Sequence, residues 1–137
     1  LAKRTKINAI QLEGKVFSGS GEGAKFVRLP WVKEQIAEKI GFVPYDGTLN
    51  IKLEKNSLTL KKSFLNEVKP ICISPAEGFC RGTCFKAIFM SESECAVVIP
   101  EVHGYPEDVI EIIAPVNLRE RFQLKDGDMI KIEVLFS

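Results

Sequence analysis

The sequence is short of charge of either sign in excess, of histidine, of paired cysteines and of long apolar runs. Its 19 Lys+Arg and 18 Asp+Glu leave a formal net charge of +1. A dedicated nucleic-acid binder normally shows a clear basic excess on one face, so this balance weighs against that class. One histidine, His103, gives a Ser-His-Asp triad little support and a multi-histidine metal centre less. Four cysteines, Cys72, Cys80, Cys84 and Cys95, are separated by seven, three and ten residues and contain no CxxC pair. Structural zinc sites usually present closely spaced pairs, so reduced and mostly buried thiols are expected, a disulfide being the less usual alternative in a reducing compartment. Apolar runs such as Ala96 to Pro100 are far too short to cross a bilayer, and no segment has the order of a secretory signal. The expectation is a cytoplasmic protein that contacts neither membrane nor nucleic acid.

What is present is globular in character: 137 residues, 45% hydrophobic and 27% charged. At this mass a chain exposes roughly 22,000 Å² unfolded and roughly 7,000 Å² folded, enough burial for one core and not for two. The first seven residues carry Lys3, Arg4 and Lys6 after Leu1. Residues 1–7 are expected to be a linker or tail, following an upstream domain or simply solvated, with the folded domain spanning 8–137.

Ile7 to Phe17 reads as a strand interrupted by a bend or bulge at Gly14. Pro30 to Ile40 is the best helix: Pro30 suits its first turn, Val32, Ile36 and Ile40 recur every four residues, and Gly41 stops it. Gly47 to Glu54 alternates, with Leu49, Ile51 and Leu53 on one face. Further short strands are expected at Lys69–Ser74, Cys84–Met90, Cys95–Pro100 and Val109–Ala114. A turn of helix at Leu118–Phe122 and the Asp126-Gly127 turn then precede a last strand, Met129–Phe136. Six or more strands with one substantial helix favour a closed or nearly closed barrel over a βαβ fold.

Three places could carry chemistry. Gly19-Ser20-Gly21-Glu22-Gly23 follows the first strand and leaves backbone amides unshielded, as a phosphate nest requires. It matches neither a P-loop nor a dinucleotide fingerprint, since the spacing is wrong and no helix is expected to start immediately after it; a glycine-rich turn is the competing reading. Thr48 and Asn50 share one side of a strand, where two neutral oxygens could ligate a hard cation weakly or simply face solvent. Glu111 is a lone carboxylate in an apolar strand, either a site residue or a group on a solvent-facing edge.

The blocks Ser18-Gly19-Ser20-Gly21-Glu22-Gly23, Gly41 to Asn50, Ile110 to Pro115, Leu118-Arg119-Glu120 and Leu124 to Asp128, in this order and spacing, closely resemble the CTP-dependent riboflavin kinases best known from archaea. The resemblance runs from about residue 8 to the C-terminus. It implies a mainly β fold, a small six-stranded Greek-key-like cradle-loop barrel with one main helix and a short second helix. The implied activity is transfer of the γ-phosphate of CTP to the 5′-hydroxyl of riboflavin, giving FMN and CDP.

Carried over position by position, the resemblance implies nucleotide binding by Gly19, Ser20, Gly21, Glu22, Gly23 and Ala24, and again by Val116, Asn117, Leu118 and Arg119. It implies Mg²⁺ on Thr48 and Asn50, and flavin contact by Glu111. From the demands of phosphoryl transfer, a carboxylate at that place is expected to orient the acceptor hydroxyl and could accept its proton. Lys25 and Arg119 are the nearest cations for charge stabilisation. The family places a flavin-contacting threonine where this sequence has His103, whose imidazole can donate or accept. Many members carry an N-terminal winged-helix domain, consistent with the basic start. The competing class is a non-catalytic nucleotide- or DNA-binding regulatory barrel, because the Leu124 to Asp128 turn recurs in such folds.

Overall fold

A computed structural model of the chain describes residues 9–19, 21–75 and 81–135. The elements in chain order are β1 (Ala9–Phe17), α1 (Glu22–Arg28), α2 (Pro30–Lys39), β2 (Leu49–Leu53), α3 (Lys55–Glu67), β3 (Ile71–Ile73), β4 (Gly82–Phe89), β5 (Ser93–Pro100), β6 (Val109–Ile113), α4 (Leu118–Arg121) and β7 (Met129–Leu135). The strands pair in the order β3-β4-β5-β6-β2-β1-β7, every pair antiparallel. A β4–β7 pairing joins the two ends. Six strands therefore close into a barrel, which removes the exposed edges an open sheet would carry. β3 stands outside it, pairing with the start of β4 while the end of β4 pairs with β7.

Alternation builds the barrel as the sequence predicts. In β2, Leu49, Ile51 and Leu53 are buried and Lys52 is exposed; in β7, Ile130, Ile132 and Val134 are buried between exposed neighbours. These side chains join Leu12, Val16, Phe89, Ile110 and Ile112 in the barrel interior. A second apolar cluster lies on the outer face, where Val27 of α1 and Val32 and Ile36 of α2 cover Ile73, Cys84, Ala96, Val98 and Ile113. β6 is consequently buried on both faces, Ile110 and Ile112 inward and Ile113 outward. Gly14 makes no bulge. It lies where the two ladders of β1 overlap, opposite Ile130 on one side and Leu53 on the other.

Among the described residues four helices form, where one main and one short helix are expected from the sequence. α2 and α4 are the expected pair. α1 begins inside the glycine segment at Glu22, so the expected loop over 19–24 is half helix and a helix does start there. α3 is hidden in the sequence because its buried positions are Ser57, Lys61 and Phe64, only one of them apolar, while Leu60 and Leu65 are exposed. The Ser57 hydroxyl accepts the Glu13 amide at 2.8 Å, and Phe64 packs on Phe85 with ring centroids 4.7 Å apart.

The cysteines divide. Cys84 and Cys95 are free and buried, as expected, but Cys72 in β3 is held in a disulfide. A disulfide needs Cα atoms within about 7 Å. Spacing in the sequence does not report that proximity. Ser20, Cys80 and residues 1–7 lie outside the described residues. Among the described residues no helix is long and apolar enough to cross a membrane.

Candidate active site

Strand register assembles the floor of the site. Asn50 of β2 faces Glu111 of β6 across the ladder, Phe17 lies opposite Asn50 on the far side, and Val98 lies opposite Glu111. Because Leu49 and Ile51 point into the barrel, Thr48 and Asn50 point outward; Ile110 and Ile112 fix Glu111 outward in the same way. The lone acid is thus neither in the barrel core nor on a solvated edge. It is 4% exposed on the outer face, beneath α1.

A buried carboxylate is costly unless its oxygens are satisfied. Here Thr48 Oγ1 donates to Glu111 Oε1 and Tyr105 Oη donates to Oε2, each at 2.7 Å. Burial pushes the Tyr105 phenol far above its ordinary range, and its hydrogen bond and proximity to Glu111 push it further. Tyr105 therefore stays a proton donor to this carboxylate at any physiological pH.

The glycine segment forms the roof. A Cβ at Gly23 would lie 1.6 Å from Glu111 Oε1, and one at Gly19 would lie 2.6 Å from Asn50 Nδ2. Any side chain at either position would displace the polar pair below. Gly21, with φ at 87°, turns the chain into α1 and has open space around its own Cβ position.

Two cavities flank this polar seam. The larger, about 750 Å³, is walled by Phe17, Phe26, Leu29 and Val109, with Gly19, Gly23, Asn50, Arg81, His103, Tyr105 and Glu111 around it. A cleft of about 180 Å³ is lined by Tyr45, Gly47, Thr48, Ile112 and Val116 through Arg119. The Thr48–Glu111 hydrogen bond joins them, since Thr48 lines the cleft and Glu111 lines the cavity. In the cleft, the Asn117 side chain caps α4 by accepting the Glu120 amide at 3.1 Å and donates to Tyr45 Oη at 3.2 Å.

Residues 16–134 match the family labelled CTP-dep_RFKase and described as "Domain of unknown function DUF120". The chain belongs to this CTP-dependent riboflavin kinase family. It is similar to proteins named riboflavin kinase from Methanosarcina barkeri, 39% identical over 132 residues covering 93% of this chain and 58% of that protein, and from Pyrobaculum aerophilum, 43% identical over 142 residues covering 98% and 65%. A third, from Archaeoglobus fulgidus, is 39% identical over 133 residues covering 92% and 55%. The chain thus spans between about half and two thirds of the length of these relatives.

Set against the residues that resemblance to CTP-dependent riboflavin kinases singles out, the structure brings Gly19, Gly23, Asn50, His103 and Glu111 to one cavity, with Lys25 on its wall. Thr48, Val116, Asn117, Leu118 and Arg119 share the adjoining cleft. Gly21 is the N-cap of α1, Glu22 is its first residue and Ala24 lies in its first turn; Gly21 and Ala24 line neither space. Oxygens that could hold a hard cation here include Asn50 Oδ1, Thr48 Oγ1, whose proton is directed to Glu111 and whose lone pairs remain available, and the Glu111 carboxylate itself.

Sequence reasoning missed Tyr105, Arg81, Tyr45, Ser18 and Asp126. Tyr105 carried a signal in its place two residues after His103. Asp126 carried one in the Leu124 to Asp128 block, where only its turn-forming role is apparent. Its carboxylate accepts from Ser18 Oγ and from Arg119 Nη2, and these two donors hold it below the usual carboxylate range.

Proposed function

We propose that this chain transfers the γ-phosphate of CTP to the 5′-hydroxyl of riboflavin, forming FMN and CDP. The observation that carries the reading is the Thr48–Glu111 hydrogen bond, which links a large aromatic-walled cavity to a small cleft built from residues 45–49 and 112–119. A cavity of about 750 Å³ suits a fused three-ring acceptor with its sugar-like chain. The cleft suits the nucleotide, and the seam between them is where acceptor oxygen and phosphate would meet.

Glu111 is suited to receive the acceptor proton. Each of its oxygens takes one hydrogen bond and keeps a lone pair, and the Thr48 and Tyr105 donors fix the plane of the carboxylate. In the proposed reaction the riboflavin oxygen forms a bond to the γ-phosphorus as the bond from that phosphorus to the β-phosphate bridging oxygen breaks. The hydroxyl proton passes to Glu111 and CDP leaves. Such a transfer needs alignment and charge neutralisation more than covalent participation. Backbone amides of the glycine segment and the guanidinium of Arg119 would meet the phosphates. His103 would offer a ring nitrogen to the flavin. Thr48 and Asn50 would hold Mg²⁺, the phosphates and water completing its shell, and the ion would offset charge on the transferring group. Neutral protein ligands fit a cation that arrives with a tetra-anionic nucleotide.

The direct test is FMN formation from riboflavin with CTP, ATP, UTP or GTP, each with and without Mg²⁺. FMN with CTP and Mg²⁺ alone is the expected result. FMN from ATP at an equal rate would overturn the donor assignment, full activity after chelation would overturn the metal, and no FMN with any nucleotide would overturn the reaction.

A further inference from the structure

The Asp126 carboxylate joins two segments more than 90 residues apart. Ser18 Oγ, at the start of the glycine segment, donates to Oδ1 at 3.1 Å and Oδ2 at 2.9 Å, while Arg119 Nη2 donates to Oδ1 at 3.0 Å. The turn does not need this side chain. Asp128 closes it, with Oδ2 accepting the Lys125 amide at 2.9 Å and its own amide donating to the Lys125 carbonyl at 3.0 Å. Two backbone bonds, Gly127 N to Val16 O at 2.8 Å and Val16 N to Asp128 O at 2.9 Å, tie the turn to β1. Nor does α4 need it, since Asn117 caps that helix and the Leu124 amide donates to the Arg119 carbonyl at 2.8 Å. What depends on Asp126 is the direction of the Arg119 guanidinium and the position of the Ser18 hydroxyl.

Stability does not explain the arrangement either. Asp126 is 55% exposed and Arg119 38%, and ion pairs of that exposure contribute little to folding. We propose that Asp126 is a positioning residue for the phosphate donor, fixing the distance between the glycine segment and Arg119 so that both address one polyphosphate chain. The proposal rests on the reading that residues 19–24 and 116–119 bind the nucleotide. A carboxylate beside an anion site is unfavourable by charge alone, so its placement is worth keeping only for the geometry it imposes on Arg119.

The sign of the effect separates the two roles of that charge. If Asp126 positions Arg119, Asp126→Ala raises KM for CTP by about tenfold, the scale of a charge-assisted hydrogen bond, with KM for riboflavin unchanged. If it merely repels the nucleotide, the same variant lowers KM for CTP, which overturns the proposal. Asp126→Asn keeps an acceptor for Ser18 and loses the ion pair, so an intermediate rise is expected; thermal melting within about 3 °C of the parent confirms that folding is not what changed. Arg119→Ala serves as the reference. A raised KM for CTP in Arg119→Ala with none in Asp126→Ala overturns the proposal alone, and an unchanged KM in Arg119→Ala overturns the nucleotide reading beneath it. In the double variant the two effects should not add, because Asp126 acts through Arg119; full additivity counts against it.

Discussion

Gly23 and Gly21 are two residues apart and are glycine for different reasons. Gly23 is forced by proximity, because any Cβ would land on the Glu111 carboxylate, whereas Gly21 is forced by its left-handed backbone and has no neighbour within 4 Å of the Cβ position. Gly23→Ala should therefore push Glu111 out of its bonds with Thr48 and Tyr105 and lower kcat for FMN formation by about 10² or more, the range expected when a general base is misplaced. Gly21→Ala should cost about 1 kcal/mol of stability for the strained φ and leave kcat within about threefold. Steady-state kinetics with urea denaturation distinguishes them; equal losses of kcat in both variants would mean that Gly23 is not needed for contact with Glu111. At this scale the sequence was partly legible. An acid at Glu111 inside an apolar strand, and Thr48 and Asn50 two apart, are visible because strand side chains alternate. Tyr105 was not, because nothing local reports that the loop after β5 folds its phenol back onto β6.

Among the elements, α3 does the least visible work. Its buried face presents Lys61, 6% exposed, whose ammonium donates to the Glu107 carbonyl, and the neighbouring Lys62 pairs with the Glu107 carboxylate at 3.0 Å. Glu107 closes the loop that carries His103 and Tyr105, so α3 holds the acceptor side of the site from outside the barrel. Lys61→Met keeps the aliphatic stem packed and removes the donor. The expected result is a severalfold higher KM for riboflavin with KM for CTP unchanged; an unchanged riboflavin KM would show that the loop holds its place without α3. A buried lysine and serine on the inward face break the apolar periodicity by which helices are recognised, which is why this helix was not legible while α2, with Val32 and Ile36, was.

For the whole molecule, the strands could be read from alternation, but closure could not. The pairing of Ala87–Phe89 with Ile132–Val134 that closes the barrel spans more than 40 residues and leaves no local mark. Closure has a thermodynamic consequence at high pH. Burial pushes the thiols of Cys84 and Cys95 from 9.0 up to about 12, and burial together with Glu111 raises the Tyr105 phenol above 10.0. A raised folded-state pKa means the folded chain keeps a proton that the unfolded chain loses. The stability these groups contribute is fully present below about pH 9 and is lost as pH climbs toward about 12. Lys61 runs the other way: burial lowers its pKa below 10.5, so between that lowered value and 10.5 the unfolded chain holds more protons and stability rises with pH. Three groups oppose one, so the urea midpoint should fall between pH 9 and 12. Cys95→Ala should be less stable at pH 8, from the lost packing of a residue that is 1% exposed, yet show a shallower fall above pH 9. Parallel curves for the parent and this variant would mean that the Cys95 thiol ionises as readily in the folded barrel as in the unfolded chain.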